Sequence, residues 1–138
     1  MPGLGDVDDR SYVLAQQALN EAITNPLFLG GFTVALLLIG LSCALHLRRQ
    51  HRPALPWIGA ALVAYLVTNI VTFGIHEPLN QQFMAAAETA ANGADFAAAR
   101  AQLDEAMWTT WNTVRAVATT IAFGCLTWAL VIHRRPGR

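Results

Sequence analysis

The sequence predicts an all-α integral membrane protein, and three observations lead to that class. The 138 residues are 54% hydrophobic and only 13% charged, whereas an ordinary soluble domain carries about 25% charged residues. Three long segments contain one charged residue or none, which is typical of transmembrane helices. The nine basic residues balance nine acidic ones, which excludes a generally basic nucleic-acid-binding surface. The length predicts a single membrane domain over residues 1–138.

Residues 1–25 are too polar to cross a membrane. They contain no apolar run of signal-peptide length. Apolar residues recur at helical spacing between Ser11 and Thr24. This pattern predicts an interfacial N-terminal helix.

Three segments are predicted to cross the membrane: residues 26–47, 56–76 and 110–132. The first two are each about as long as the ~20 residues that span a ~30 Å hydrocarbon core. Pro26 and Pro56 each stand in a first helical turn, where a missing N–H is not needed. All three segments are apolar around most of the helix circumference, which argues against the buried helices of a soluble bundle.

Residues 77–109 are predicted to form a helical extracytoplasmic connection. Its first part is rich in alanine, Asn92-Gly93 is a turn signal, and Asp95 can cap a helix that runs through Arg100 toward Trp108. The connection is acidic, whereas arginines follow the first and third spans, at positions 48, 49, 52, 134, 135 and 138. The positive-inside rule therefore predicts a multi-pass cell-membrane protein with the N-terminus outside and the C-terminus in the cytoplasm.

Polar residues recur along one side of the second and third spans, toward their outer ends. Both sets follow helical spacing, and we expect the two to meet. Asn25 lies on the same side of the membrane, and Glu77 is the nearest candidate counter-ion for Arg115. The first set is Asn69, Thr72, His76 and Asn80, and the second is Trp108, Trp111, Asn112, Arg115 and Thr119.

Each of these residue types also has a purely structural explanation. Asn and Thr between membrane helices often form interhelical hydrogen bonds, and Trp108 and Trp111 suit an interfacial aromatic belt. His76 could be solvated, and Arg115 could extend to the outer headgroups. An ionisable group at the bilayer centre nevertheless costs at least ~2.5 kcal/mol, so the combination at one depth indicates a functional site.

The sequence spacing predicts no metal site. His46, His51 and His133 lie at the basic ends of the spans, and their spacing fits no known zinc motif. Cys43 and Cys125 lie inside spans and behave as small apolar residues.

Several stretches together resemble the anthrone oxygenase-like family of small membrane proteins. They are MPGL at the start, QQALNEAITNPLF, TNIVTFGIHEPLN and WTTWNTVR, and they cover nearly the whole chain. Family members usually carry a further transmembrane helix before the segment that matches MPGL. The resemblance therefore implies a four-helix bundle from which the first helix is missing here, which leaves three spans.

The resemblance also implies a chemistry, since the family's fungal members resemble oxygenases that convert an anthrone to an anthraquinone. It implies His76 as the base, with Glu77 as the alternative, and Arg115 as the stabiliser of the substrate anion. Asn25, Asn69, Asn80 and Asn112 would orient a hydrophobic aromatic substrate, and Trp108 and Trp111 would stack on its ring. No cofactor is implied. Two other functions stay open at this point: binding or transport of a small hydrophobic molecule, and a non-catalytic scaffold subunit in the lipid bilayer.

Overall fold

A computed structural model describes residues 6–47, 53–93 and 95–133. Within these ranges the chain forms helices and no strands, which confirms the predicted all-α class. Three helical stretches are long and apolar enough to cross a membrane, as the sequence predicts. The segment MPGL, the arginines that predict the orientation, and His51 lie outside the described residues. The elements are α1 (Asp9–Ile23), α2 (Pro26–Leu45), α3 (Leu55–Val71), a π-helix (Thr72–His76), α4 (Glu77–Ala91), α5 (Phe96–Gln102) and α6 (Glu105–His133).

Side-chain caps determine where α1 and α2 begin. The Asp8 carboxylate accepts hydrogen bonds from the backbone N–H and the hydroxyl of Ser11, both at 2.8 Å. These bonds hold the pKa of the Asp8 carboxyl below its usual value, the backbone bond contributing most. Asn25 caps α2 in the same way, because its Oδ1 accepts from the Phe28 N–H at 2.8 Å. Pro26 then occupies the first position of α2, where it was predicted.

The helix that contains the second predicted span does not end at residue 76. The helical stretch continues from Leu55 to Ala91, 37 residues in all, which is about 55 Å at 1.5 Å per residue. This exceeds the ~30 Å hydrocarbon core, so part of the helix extends beyond it. The π-helical turn Thr72–His76 lies within this stretch. A π turn contains more residues than an α turn, so the helical period changes there.

The connection from α4 to α6 largely follows the sequence signals. The chain turns at Asn92-Gly93, and Asp95 caps α5 by accepting from the Ala97 N–H at 2.8 Å. However, α5 ends at Gln102 and does not run on toward Trp108. Asp104 starts a new helix by accepting from the Met107 N–H at 2.9 Å, so α6 begins five residues before the predicted start of the third span.

The chain forms two compact units, which are described separately. The first unit comprises Met1–Leu29 and Val71–Thr113. It has a buried apolar core in which α1, α4 and α5 pack on one another. The buried residues of this core are Tyr12, Val13, Phe83, Ala87, Ala90, Ala99 and Leu103.

The second unit comprises Gly30–Ile70 and Val114–Arg138, and it presents apolar side chains outward. Leu37, Val63 and Phe123 are 65%, 64% and 72% exposed, respectively. Such continuous apolar exposure is typical of a lipid-facing surface. Inside this unit the hydroxyls of Thr68 and Thr119 lie 3.1 Å apart, which is the interhelical hydrogen bond expected between membrane helices.

Within the part of the chain that the structure describes, Gly93 has a left-handed backbone conformation, with φ at +105°. We expect Gly93→Ala to destabilise the first unit by about 1–2 kcal/mol, because a Cβ disfavours positive φ. An added Cβ at this position would meet no atom within 4 Å, so the cost is conformational. Thermal unfolding in mild detergent measures it. Gly59→Ala is the control, since its Cβ also meets nothing and its backbone is helical; equal stability of the two variants would contradict the prediction.

Candidate functional site

Three of the predicted site residues come together in the first unit and form what we call the histidine–tryptophan cluster: His76, Asn80 and Trp108. The rings of His76 and Trp108 lie with their centroids 5.2 Å apart. His76 Nε2 is 3.3 Å from the Trp108 carbonyl oxygen. The Trp108 indole N–H donates to Asn80 Oδ1 at 3.3 Å. The cluster thus joins the end of the π-helix to the first turns of α4 and α6.

The contact with Trp108 determines the His76 tautomer. A carbonyl oxygen only accepts hydrogen bonds, so Nε2 carries the proton and Nδ1 is the basic nitrogen of the neutral ring. The His76 side chain is only 3% exposed. Its basic nitrogen is therefore buried in the cluster, which suits a positioning role better than direct contact with a substrate.

The predicted polar stripe on the second span depends on an unbroken α-helical period. The π turn interrupts that period between Asn69 and His76. By contrast, α6 runs without a break from Glu105 to His133, so the helical spacing on the third span holds. The spacing argument is therefore valid for α6 and not across the π turn.

A cavity of about 520 Å³ in the first unit is lined by residues of α1 and α4. Its volume lies within the ~300–1,000 Å³ typical of small-molecule sites. Glu77 and Asn80 belong to its lining, and Glu77 Oε1 accepts from Gln81 Nε2 at 3.0 Å. Asn80 thus lines the cavity and also contacts Trp108. The full lining is Asn20, Glu21, Thr24, Glu77, Asn80, Gln81, Met84, Ala85 and Glu88.

The chemistry of this lining combines proton acceptors with hydrogen-bond donors. Three carboxylates line the cavity, those of Glu21, Glu77 and Glu88. The amides of Asn20, Asn80 and Gln81 supply N–H donors. Met84 adds a polarisable apolar surface that suits an aromatic ring. A base beside amide donors can remove a proton and stabilise the anion that forms.

The contribution of α1 to this cavity was not predicted from the sequence. Asn20 and Thr24 are one helical turn apart, and the Thr24 hydroxyl donates to the Asn20 backbone carbonyl at 2.6 Å. Asn20 is 8% exposed, although the helix was predicted to lie along the membrane interface. The buried side of α1 carries a second polar residue, Gln16, and no local feature of the sequence distinguishes Asn20 from it.

Arg100 fixes α1 in place beside α5. Its Nη1 donates to Asp9 Oδ1 at 3.0 Å and to the Val7 carbonyl at 3.1 Å. The guanidinium also lies 4.3 Å from the centroid of the buried Tyr12 ring. Burial raises the pKa of the Tyr12 hydroxyl, the Glu105 carboxylate raises it further, and Arg100 opposes both. These contacts support the cavity wall, since α1 contributes residues to its lining.

The other predicted site residues lie elsewhere. The Asn25 amide is engaged by the backbone, because it caps α2 and donates to the Ala22 carbonyl at 2.9 Å. Trp111 and Asn112 are half-buried residues of the first unit. Asn69 and Arg115 belong to the second unit, where Asn69 Nδ2 donates to the Tyr65 carbonyl at 2.9 Å. Their predicted roles toward a substrate stay predictions.

These features define an all-α, multi-pass membrane protein with a polar, carboxylate-containing cavity in one of its two units. The sequence model of a family described as anthrone oxygenase matches residues 22–125, which is most of the chain. The protein therefore belongs to the anthrone oxygenase family, as the sequence resemblance predicts. The matched region includes Glu77, Asn80 and Trp108. Comparisons with curated proteins and with solved structures give no match.

Proposed function

We propose that this protein is a membrane oxygenase that uses O₂ to oxidise a hydrophobic aromatic substrate of the anthrone type. The observation that carries the proposal is the cavity beside the histidine–tryptophan cluster, which is lined by three carboxylates and several amide donors. Glu77 is the half-buried one of the three, whereas Glu21 and Glu88 are exposed. Membership of the anthrone oxygenase family supports the substrate class. Neither a metal nor an organic cofactor enters the proposed reaction.

Glu77 is the proposed catalytic base. An anthrone has a methylene group whose proton is acidic, because loss of that proton gives an aromatic oxyanion. Glu77 accepts the proton, and the negative charge develops on the substrate oxygen. Amide N–H groups in the cavity, those of Asn80 above all, donate to this oxygen and lower the barrier by stabilising it. The sequence-based hypothesis has His76 as the base and Glu77 as the alternative. The proposal reverses these roles, because Glu77 lines the cavity and His76 is buried and does not belong to the lining.

The second half of the reaction consumes O₂. The substrate carbanion forms a C–O bond with O₂ and gives a peroxide anion, which takes up the proton held by Glu77 and becomes a hydroperoxide. Loss of the remaining C–H proton and cleavage of the O–O bond then produce the second carbonyl group and water. One anthrone and one O₂ give one anthraquinone and one water, so the carbon loses four electrons and O₂ gains four.

His76 and Trp108 are proposed as positioning residues. Trp108 donates to Asn80 Oδ1, which directs the amide N–H groups of Asn80 away from the indole. His76 in turn donates to the Trp108 backbone carbonyl. Their combined effect is to fix the orientation of a donor in the cavity, and pre-organised donors stabilise a developing charge better than mobile ones.

The test is oxidation of an anthrone by the purified protein in liposomes. We expect O₂ consumption and quinone absorbance to rise in a 1:1 ratio, at a rate proportional to protein. Protein-free liposomes with the same anthrone give the spontaneous rate that must be subtracted. Binding of the anthrone without turnover would favour a carrier, and neither binding nor turnover would favour a scaffold; either outcome would overturn the proposal.

We also propose that the protein resides in the cell membrane with the N-terminus outside and the C-terminus in the cytoplasm. The acidic connection and the arginines that follow α2 and α6 in the sequence support this orientation. A cysteine introduced at exposed Asn92, in the C43S/C125S background, should react with a membrane-impermeant maleimide in intact cells. A cysteine introduced at Arg138 should react only after lysis, and the reverse pattern would contradict the proposed orientation.

A further inference from the structure

Two histidines that are distant in the sequence meet in the second unit, outside the cavity proposed for oxidation. His46 follows the last residue of α2, and His133 is the last residue of α6. Their ring centroids lie 5.4 Å apart, and the ring planes are inclined at 64°. The sequence spacing gives no indication of this pair, because the two residues are 87 positions apart and the fold alone brings them together.

One hydrogen bond orients the His46 ring. His46 Nδ1 is 2.8 Å from the Ser42 carbonyl oxygen, one turn earlier on α2. Because a carbonyl oxygen only accepts, Nδ1 carries the proton and Nε2 carries the lone pair of the neutral ring. A histidine that binds a metal usually donates its other ring N–H to a backbone carbonyl or a carboxylate in this way. The His46 ring is therefore held in the tautomer that a metal ligand requires.

The separation of the two rings also fits a shared metal ion. Two imidazoles bound to one tetrahedral metal at ~2.0 Å per nitrogen place their ring centroids about 5 Å apart. Beside the pair lies a cavity of about 350 Å³, which leaves room for water ligands. Its lining is Ser42, His46, Ile58, Leu126, Ala129, Leu130 and His133.

The location favours a cation. Both histidines stand at helix C-termini, where the backbone carbonyls give each helix end a partial negative charge of about half an elementary charge. The cavity lining contains no carboxylate, so the imidazole nitrogens are its candidate metal ligands. Imidazole ligands prefer Zn²⁺, Cu²⁺, Ni²⁺ or Co²⁺ over Mg²⁺ and Ca²⁺, which require oxygen ligands.

We propose that His46 and His133 bind one transition-metal dication, with His46 Nε2 and a ring nitrogen of His133 as protein ligands and water in the remaining positions. The bound ion joins the C-terminal ends of α2 and α6. Among the described residues no third His, Cys, Asp or Glu completes a metal-ligating group, so the site keeps open coordination positions. The proposal is independent of the oxidation site, because it concerns other residues in the other unit.

The test is metal binding by tag-free protein in detergent, with Zn²⁺ titrated calorimetrically and Cu²⁺ examined by electron paramagnetic resonance. We expect one ion per chain and a Cu²⁺ spectrum with coupling to two imidazole nitrogens. His46→Gln and His133→Gln should each weaken Zn²⁺ binding by ~10-fold or more, since each removes one of two protein ligands. Zn²⁺ should also raise the unfolding temperature of the wild type but not of the double variant.

His76→Gln is the matched control, because it removes a histidine from the other unit and should leave Zn²⁺ affinity unchanged. Equal affinity in His46→Gln, His133→Gln and wild type would overturn the proposal. So would a Cu²⁺ spectrum with one nitrogen ligand or none. The spectrum is measured on the wild type, so the proposal can fail even if a glutamine variant does not fold.

Discussion

Glu77→Gln is expected to lower the rate of anthrone oxidation at saturating substrate by at least ~100-fold, because a positioned general base contributes about 10²–10⁴-fold. The substitution keeps the size of the side chain and its ability to accept from Gln81. It removes only the capacity to take up a proton. The measurement is the initial rate of O₂ consumption in liposomes, after subtraction of the spontaneous rate.

The neighbouring His76 provides the decisive comparison. His76→Gln should lower the rate by a smaller factor, because His76 acts through Trp108 and does not line the cavity. Asp6→Asn, which removes one carboxylate outside the cavity lining, should retain the wild-type rate. If His76→Gln abolished oxidation while Glu77→Gln remained active, the base would be His76 and the proposed role of Glu77 would be wrong.

Phe83→Ala is expected to have the largest effect on stability. Phe83 is 1% exposed and lies in the core that joins α1, α4 and α5. Removal of a buried phenylalanine side chain costs ~3–5 kcal/mol, through lost apolar burial and the void that remains. Hydrogen exchange of the backbone amides in α4 and α5 measures the effect, because local opening of this unit exposes them.

Phe123→Ala is the matched control for this substitution. Phe123 is 72% exposed on the second unit, where we expect its side chain to contact lipid in both the native and the opened protein. Its loss should change exchange in the first unit by less than ~0.5 kcal/mol. A comparable loss of protection in both variants would mean that the first unit has no independent core.

The transmembrane helices were predictable because they depend on local properties of the chain. The apolar length of α2 and the proline at its first position are both visible in the sequence. The same holds for the turn at Asn92-Gly93 and the cap at Asp95, since each requires a particular residue type at one position. Such local signals can be read from the sequence without knowledge of the tertiary structure.

The cavity was only partly predictable, because it depends on contacts between distant parts of the chain. The sequence predicts Asn80 as a member of the polar set on the second span, and Glu77 as the counter-ion of Arg115 and the alternative base. It does not predict Asn20, because α1 carries many polar residues and nothing local distinguishes those that become buried. The contact of Arg100 with Asp9 joins residues 91 positions apart, which no helical period reveals.

The sequence does not predict the π turn either. The π turn changes the direction in which the side chains of His76 and Asn80 point. A π turn contains one residue more than an α turn, so every following side chain lies about 100° less far around the axis than it would in a regular α-helix. Deletion of one residue within Thr72–His76 would remove the extra residue, so a regular α-helix would then keep Glu77, Asn80 and Gln81 in their present orientation. Conversion of the π turn to an α turn without a deletion would rotate them by that angle. Which face of α4 lines the cavity therefore depends on the type of the preceding helical turn, π or α, as well as on the residues of α4 themselves.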